Sequence, residues 1–364
     1  MKKFTSIAPG RTCLFGDHQD YLGLPIIACA INRHITLNAV QNNTRFFQID
    51  LPDIHKKRNI KIDEEILELE KEDYFQSALN VLKRYNCIPT SGYDVLITGT
   101  IPINAGTSSS SAVIVAWVQF LIKAFGTADL LTSEKIAQIA YEAEVLEFNA
   151  PGGKMDQYSI GLGNIIYLET GEKFSYQVLK APLTGLIMAE SGVPKETLGL
   201  LKRLKTNSWD AINEVKSNFP NFKLEDSKLE DLQKYLAVLN DNLKPYFEAA
   251  VGNFEVTKKA LIEFKKEELN MIKIGELMNQ HHHYLKNLLK ITVPKIDAMI
   301  NTALKAGALG AKIVGSGGGG SIAVLSPKNK EKEIMEAILK ASAKDVYHVS
   351  VDEGARIFET NESL

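Results

Sequence analysis

The feature that most constrains this chain is a loop of small and hydroxyl-bearing residues placed directly before an apolar helical stretch. This serine loop, Pro102 to Ile114, has the sequence Pro-Ile-Asn-Ala-Gly-Thr-Ser-Ser-Ser-Ser-Ala-Val-Ile, and apolar residues continue to Phe125. A helix that begins at Ser109 would present unpaired N–H groups and the positive end of its dipole to an anion, and Gly106 permits close backbone approach. The loop therefore predicts a phosphate site, and a Ser-rich N-cap before a buried helix is the alternative.

A second polar segment, the N-terminal motif, lies between Ala8 and Pro25 and precedes the apolar, strand-like run Ile26 to Ile31. Within ten residues it holds four side chains that can bind or polarise a ligand, namely Arg11, Asp17, His18 and Asp20. A polar turn between two strands is one explanation, because Asp and Gly favour turns. His and Arg are not turn formers, so the density of charge favours a site.

The third segment is a glycine run, Gly315 to Gly320, in which five of six residues are glycine. It lies between two runs that resemble buried strands, Ala311 to Val314 and Ile322 to Leu325. A flexible linker would be flanked by polar sequence. The apolar flanks indicate instead that the backbone of the glycine run approaches a ligand closely.

In order, character and spacing, the three segments together resemble the GHMP kinase superfamily, which includes galactokinase, homoserine kinase, mevalonate kinase and phosphomevalonate kinase. Pro9 to Tyr21 resembles the galactokinase pattern P-G-R-V-N-L-I-G-E-H-x-D-Y. The glycine run matches G-x-G-G-G-G, and Ala140 to Gln157 resembles a galactokinase stretch that carries Glu144 and Asp156. The superfamily pattern P-x-x-x-G-L-S/G-S-S-A is in register with Pro102, Gly106, Ser109 and Ser110.

The resemblance implies phosphoryl transfer from ATP with Mg²⁺, and it implies a role for each motif residue. Ser110 and Glu144 would hold Mg²⁺, Asp156 would accept the hydroxyl proton, and Arg11 would keep that carboxylate ionised. Without the motif, Glu144 would be a solvated carboxylate on a charged helix face. The implied substrate-binding residues are Asp17, His18, Asp20 and Gly153. The implied ATP-binding residues are Gly106, Thr107, Ser108, Ser109, Ser110, Gly317 and Gly318.

The acceptor is expected to be a neutral sugar phosphorylated on its anomeric hydroxyl, galactose or a close relative. Asp20 and His18 suit a polyol, since a carboxylate can accept two hydroxyl hydrogens. Asp17, which stands where galactokinases carry glutamate, would repel an acidic sugar. A mevalonate-type kinase is the alternative, because the short N-terminus and Ser191 to Thr197 are similar to mevalonate kinase. A non-catalytic sugar and ATP sensor on the same fold is the third possibility, suggested only by Ser111, where alanine is usual.

Two further features leave the assignment unchanged. Lys154 could reach a phosphate or a substrate carboxylate, or it could face outward from its loop. His281, His282 and His283 do not predict a metal site, because consecutive helical residues point about 100° apart and cannot converge on one ion.

Composition agrees with a cytoplasmic enzyme. The family resemblance implies a small-molecule sugar as the partner, and a monomer or homodimer is expected. The chain has 364 residues, 45% of them hydrophobic, with 42 basic and 44 acidic residues. This balance predicts neither nucleic acid nor an anionic membrane surface as a partner. The three cysteines cannot all pair and lack metal-ligand spacing, which favours a reducing compartment. No run of eighteen apolar residues exists, and the N-terminus lacks the apolar core of a signal peptide.

The order of the predicted elements favours an α+β fold, because strands and helices are mixed rather than strictly alternating. The predicted elements include strands at 26–39, 93–101, 164–169 and 184–190, helices at 74–85 and 109–125, and largely helical sequence from 202 to 290. The family resemblance implies a two-domain GHMP kinase fold. Its N-terminal domain, 1–180, would be ribosomal S5 domain 2-like, and its C-terminal domain, 181–364, would be ferredoxin-like with added helices. The ligands would lie in the cleft between them.

Overall fold

In the computed structural model, which describes residues 1–62, 69–128, 132–195 and 198–361, the β-strands form two sheets. The strands are β1 (Lys2–Phe15), β2 (Ile26–Gln41), β3 (Phe46–Leu51), β4 (Lys56–Lys61), β5 (Tyr93–Gly99), β6 (Ile165–Glu169), β7 (Ser175–Leu179), β8 (Leu186–Glu190), β9 (Gly310–Val314), β10 (Ser321–Leu325), β11 (Asp345–Val349) and β12 (Arg356–Asn361). The larger sheet has the order β12-β1-β2-β5-β3-β4, and β6 joins it beside β2 and carries β7. The smaller sheet, β11-β8-β10-β9, is antiparallel throughout.

Helices pack against both sheets, and in the second half of the sequence further helices pack on those helices. They are α1 (Tyr74–Lys83), α2 (Ser109–Phe125), α3 (Ser133–Tyr141), α4 (Met155–Leu162), α5 (Leu198–Asn218), α6 (Leu232–Leu236), α7 (Lys244–Phe264), α8 (Met271–His283), α9 (Pro294–Lys305) and α10 (Glu331–Lys340). The expected α+β class is confirmed. Helix α2 has the predicted bounds, whereas the helix predicted from Tyr74 to Tyr85 ends at Lys83.

Helix α2 is the centre of the N-terminal core. Ten of its residues are buried, because the helix lies against β1 and β2 on one side and α1, α3 and α4 on the other. Trp117 packs edge-on against Phe47 of β3 and Phe75 of α1, with ring centroids 5.1 and 5.4 Å apart. A helix that is apolar nearly all round is expected when other elements surround it. This packing fixes the N-terminus of α2 relative to the sheet.

Both ends of the chain contribute strands to the larger sheet. The first half of the N-terminal motif is part of strand β1, which pairs with β2 and shifts register between Pro9 and Gly10 and between Cys13 and Phe15. Strand β12 pairs antiparallel with β1, Lys2 opposite Asn361. The last described strand therefore belongs to the N-terminal sheet, so the boundary expected at residue 180 does not assign all of 181–364 to the second sheet.

The second core lies around β9 and β10, all of whose residues are buried. Helices α5 and α7 form a further cluster with Tyr21, Leu22 and Leu24, which follow the N-terminal motif. The Trp209 indole also donates a hydrogen bond to the Tyr21 carbonyl at 3.2 Å. These contacts tie residues 20–24 to the helical layer. No helix in the described ranges is both long enough and apolar enough to cross a bilayer.

Candidate active site

The serine loop and the glycine run lie directly against each other. Gly106 and Gly315 both have positive φ, 86° and 80°. A Cβ on Gly106 would lie 2.9 Å from the Val314 carbonyl oxygen, and a Cβ on Gly315 would lie 3.2 Å from the Gly106 carbonyl oxygen. The N-terminal motif joins them, because the Arg11 amide donates to the Thr107 carbonyl at 3.2 Å. Glycine is therefore required for this approach of the two loops.

The N-terminus of α2 opens at this junction. Ser108 occupies the N-cap position with φ of 58° and makes no side-chain capping bond. Its hydroxyl instead donates to Asp156 Oδ2 at 2.5 Å. The first N–H groups of α2, from Ser109 to Ser111, have no partner within the helix. The Ser-rich cap is thus not used as a cap, which leaves these donors for an anion, and the role of Ser108 in ATP binding stays a prediction.

Asp156, at the start of α4, forms an ion pair with Arg11 of β1. Arg11 Nε lies 2.8 Å from Asp156 Oδ1, and its terminal nitrogen Nη1 donates to the Gly106 carbonyl at 2.5 Å. Burial alone would raise the pKa of Asp156, but the charge and hydrogen bond of Arg11, together with the Ser108 hydrogen bond, bring the pKa below its ordinary value. Asp156 is therefore an anion at neutral pH.

Glu144 lies in a π-helical turn, Glu142–Leu146, that continues α3. Such single turns are frequent at functional sites because the extra residue reorients a side chain. Burial raises the pKa of Glu144, whereas hydrogen bonds from Ser111, Gln157 and Ser110 oppose that shift. The Gln157 amide donates to Glu144 Oε2 at 2.6 Å. The hydroxyl of Ser111 thus has a clear role, since it supports this carboxylate.

Ser110 and Glu144 line the same cavity and could hold a divalent cation. Within the described residues, no group of three or more His, Cys, Asp or Glu side chains is arranged to bind a metal. A cation bound between a hydroxyl and one carboxylate would take its remaining ligands from water and substrate oxygens. Mg²⁺ prefers this arrangement, because it dehydrates reluctantly and binds through one or two carboxylates plus phosphates. The donor set therefore fits Mg²⁺.

Asp20 and His18 border the cavity next to Asp156. A Cβ at Gly153 would overlap the Asp20 carboxylate, so only glycine allows that carboxylate its position. Burial, and then the charge of Asp156, raise the pKa of Asp20 to about 6. Burial lowers the pKa of His18 to about 4, so its ring is neutral. His18 Nδ1 lies 3.2 Å from the Tyr21 hydroxyl, and His18 Nε2 is buried without a hydrogen-bond partner among the described residues.

One cavity collects residues from all these segments. It is lined by Arg11, Asp17, His18, Asp20, Gly106, Ser110, Glu144, Gly153, Asp156, Lys195, Gly315 and Ser316, among others.

Comparison with known proteins matches the same segments to one family. The GHMP kinases N terminal domain matches residues 73–164 and the GHMP kinases C terminal region matches residues 258–345. The galactokinase galactose-binding signature matches residues 2–39.

The chain belongs to the GHMP kinase family.

Relatives named mevalonate kinase and relatives named galactokinase both match nearly the whole chain. The mevalonate kinase of Thermococcus onnurineus is 27% identical over 361 residues, which covers 97% of each chain. The galactokinase of Pyrococcus furiosus is 25% identical over 344 residues, which covers 93% of this chain and 94% of the relative. The structure of Lactococcus lactis galactokinase complexed with galactose superposes with a TM-score of 0.86 at 22% identity, covering 97% of this chain and 95% of the other. That structural likeness establishes the GHMP kinase fold.

In this GHMP kinase, Asp17 does not stand free at the substrate end of the cavity. Its Oδ2 accepts a hydrogen bond from Lys312 Nζ at 2.6 Å, and its Oδ1 accepts one from the Gly315 amide at 3.1 Å. Both carboxylate oxygens therefore hold protein donors, although Asp17 also lines the cavity, so its contact with the sugar stays a prediction. Lys312 was missed because it lies within a short apolar strand. A lysine at the centre of β9 is itself the signal that a buried partner exists.

Three of the expected ATP-binding residues do not face the cavity. The Gly318 amide donates to the Ile291 carbonyl at 2.8 Å, and a Cβ on Gly317 would lie 2.6 Å from the Ile291 Cβ. The Thr107 side chain is fully buried. From the glycine run, the cavity instead receives Gly315 and Ser316. Ser109, at the first turn of α2, is partly exposed next to the cavity residue Ser110.

The structure shows the surroundings of two lysines, Lys195, for which the sequence analysis made no prediction, and Lys154, for which it left two orientations open. Lys195, missed by motif reasoning, lines the cavity. Burial lowers its pKa, and the charge of Asp156 opposes that shift. The only signal for it was its place in the segment that resembles mevalonate kinase. Lys154 faces outward, because its Nζ lies over the Phe174 ring at 4.6 Å and near the Tyr141 ring at 5.7 Å.

Proposed function

We propose that this GHMP kinase transfers the γ-phosphoryl group of ATP to the anomeric hydroxyl of a monosaccharide, galactose or a close relative. The observation that carries the proposal is the ionised Asp156, held by Arg11, in one cavity with Asp20 and His18. Asp20 and His18 offer hydrogen-bonding groups and no fixed positive charge, which suits a neutral polyol. The galactose-binding signature covers the strand and loop that carry these residues.

The phosphates of ATP would bind at the junction of the serine loop and the glycine run. The free N–H groups at the start of α2 and the helix dipole favour an anion there. Lys195, which lines the same cavity, adds a positive charge. Ser316 Oγ, which is buried without a partner in the described residues, is a further donor at the glycine run.

Mg²⁺ would be held by Ser110 and Glu144, and when bound it would neutralise charge on the phosphate oxygens. The residues of the chain perform the other steps. Asp156 accepts a hydrogen bond from the attacking hydroxyl and orients it, because each of its oxygens retains a lone pair beside the bonds from Arg11 and Ser108. Its low pKa means that the proton is transferred only as the new P–O bond forms. The Arg11 guanidinium stabilises the charge that develops on the transferred group.

The test is ADP release over a panel of monosaccharides with ATP and MgCl₂, with galactose among them. We expect at least one aldose to stimulate ADP release well above the rate without acceptor. The Asp156→Asn variant is the control, since it should abolish the stimulation and retain nucleotide binding. Absence of stimulation by every aldose would reject the sugar kinase assignment.

A mevalonate-type kinase is the second candidate, and Lys195 is the observation that favours it. A lysine beside Asp156 could receive the carboxylate of a small branched acid as well as a phosphate. The mevalonate kinases at 27% identity support the same possibility. Adding mevalonate to the same panel separates the two candidates, because stimulation by mevalonate alone would select the acid.

A further inference from the structure

A buried ion pair joins two segments that border the cavity, and no step of the proposed reaction uses it. The side chains of Lys312 and Asp17 are 0% and 1% exposed, and Lys312 Nζ lies 2.6 Å from Asp17 Oδ2. The same ammonium donates to the Cys13 carbonyl at 2.9 Å, where β1 shifts its register. The other oxygen of Asp17 accepts from the Gly315 amide. One carboxylate thus holds the centre of β9, the end of β1 and the first residue of the glycine run.

Stability alone does not account for this pair. Removing two charges from water costs more than their attraction returns in many proteins, and an apolar pair of similar volume is often as stable. The other titratable neighbours do not share the charge. Burial lowers the pKa of His281 to about 3, so the ring, whose Nδ1 lies 4.0 Å from Asp17 Oδ2, is neutral. Burial also raises the pKa of the Cys13 thiol well above its ordinary value.

The pair lies between two groups that border the cavity, Gly315 and His18. Gly315, which Asp17 holds through its amide, lies against Gly106 of the serine loop. A shift of Gly315 would therefore open the phosphate junction. On the other side, His18 directly follows Asp17 and has a φ of 64°, a conformation that non-glycine residues adopt only when their surroundings impose it. The backbone of Gly315 and Ser316 also acts on the His18 ring, which lines the cavity, so the glycine run and His18 are in direct contact.

We propose that Asp17 and Lys312 form a positioning pair that holds the glycine run and His18 in place. The pair acts on both substrates, because it supports the phosphate side through Gly315 and the acceptor side through His18. The expected effects on the acceptor KM and on kcat rest on the proposed function, whereas the expected effect on nucleotide binding does not.

The experiment compares Asp17→Asn, Lys312→Met and the double variant. Dissociation constants for the non-hydrolysable analogue AMP-PNP with MgCl₂ are measured by calorimetry, and KM for the acceptor and kcat are measured by ADP release. Lys344→Met is the matched control, because Lys344 also pairs with a buried carboxylate, Glu190 of β8, at 3.3 Å. Thermal melting of each variant reports whether it is folded. If a single variant fails to fold, the double variant, which leaves no unpaired buried charge, supplies the test.

We expect each single variant to weaken AMP-PNP binding and to raise the acceptor KM by about ten-fold or more. The double variant should bind AMP-PNP and the acceptor at least as tightly as the single variant with the larger defect. Lys344→Met should stay within about two-fold of the wild type, as expected for an exposed side chain that does not line the cavity. The proposal is overturned if Asp17→Asn raises only the acceptor KM, since Asp17 would then be an acceptor ligand. It is equally overturned if the two single effects multiply in the double variant. Wild-type protein that binds AMP-PNP and phosphorylates no aldose would reject the proposed function and still leave the AMP-PNP comparison decisive.

Discussion

The stability of the Asp20→Asn variant, measured relative to wild type, should be greater at pH 8 than at pH 5. The substitution also removes a group proposed to bind the sugar. The carboxyl of Asp20 lies beside the Asp156 anion, and its pKa rises from 3.8 to about 6 in the folded protein. Between these two values the folded state binds more protons than the unfolded state. The free energy of unfolding therefore falls as pH rises through this window, because ionisation is easier once the chain unfolds.

The size of the effect follows from the two pKa values. The full shift corresponds to about 3 kcal/mol, at about 1.4 kcal/mol per pKa unit. Of this, about 1.4 kcal/mol falls between pH 5 and pH 8, since the rest is lost below pH 5, where the carboxyl is ionised in the unfolded chain but still protonated in the folded protein. The Asp20→Asn variant lacks this contribution. Its Tm relative to wild type should therefore increase by about 2–4 °C when the pH is raised from 5 to 8.

The assay is thermal unfolding of both proteins at pH 5 and pH 8, with the difference between the two pH values as the result. This double difference cancels any loss of hydrogen bonding to the Tyr21 amide, which accompanies the substitution at both pH values. The same variant should raise the acceptor KM by about ten-fold or more, because a charged hydrogen-bond partner contributes about 1.5–3 kcal/mol. A difference in Tm that is equal at pH 5 and pH 8 would refute the raised pKa, which burial produces first and the charge of Asp156 second.

Three further substitutions test separate parts of the site. Asp156→Asn should lower kcat by roughly 10² or more while the AMP-PNP dissociation constant stays unchanged, as expected when the orienting anion is lost; an unchanged kcat would remove Asp156 from the reaction. Glu144→Gln should raise the MgCl₂ concentration for half-maximal rate by about ten-fold or more, and an identical Mg²⁺ titration would place the ion elsewhere. Lys195→Met should raise the KM for ATP by about ten-fold or more, as expected for a lost charged contact; an effect confined to the acceptor KM would favour the acidic acceptor instead.

The loops and the central helix of the N-terminal half could be predicted because their signals are local. The serine loop, α2 and the strands flanking the glycine run each carry their own pattern of small, apolar or β-branched residues. Their meeting point was available only through resemblance to a family. The contact of Gly106 with Gly315 depends on backbone geometry that no local pattern encodes.

The rest depends on contacts between residues far apart in sequence. Asp17 and Lys312 are 295 positions apart, so neither segment alone indicates that the carboxylate is already occupied. Strand β12 pairs with β1, although the two strands lie at opposite ends of the sequence, so no local pattern indicated that β12 belongs to the N-terminal sheet. Lys195 has no motif of its own, and the π-helical turn that carries Glu144 cannot be told from an ordinary helix by its periodicity.

The account rests on phosphoryl transfer to the anomeric oxygen of a sugar. Its most direct test is ³¹P NMR of the product formed from ATP, MgCl₂ and the aldose that best stimulates ADP release. The account predicts a new phosphomonoester signal that couples to the anomeric proton and is absent with Asp156→Asn. A product whose phosphorus couples to the protons of a primary alcohol, or no sugar phosphate at all, would contradict it.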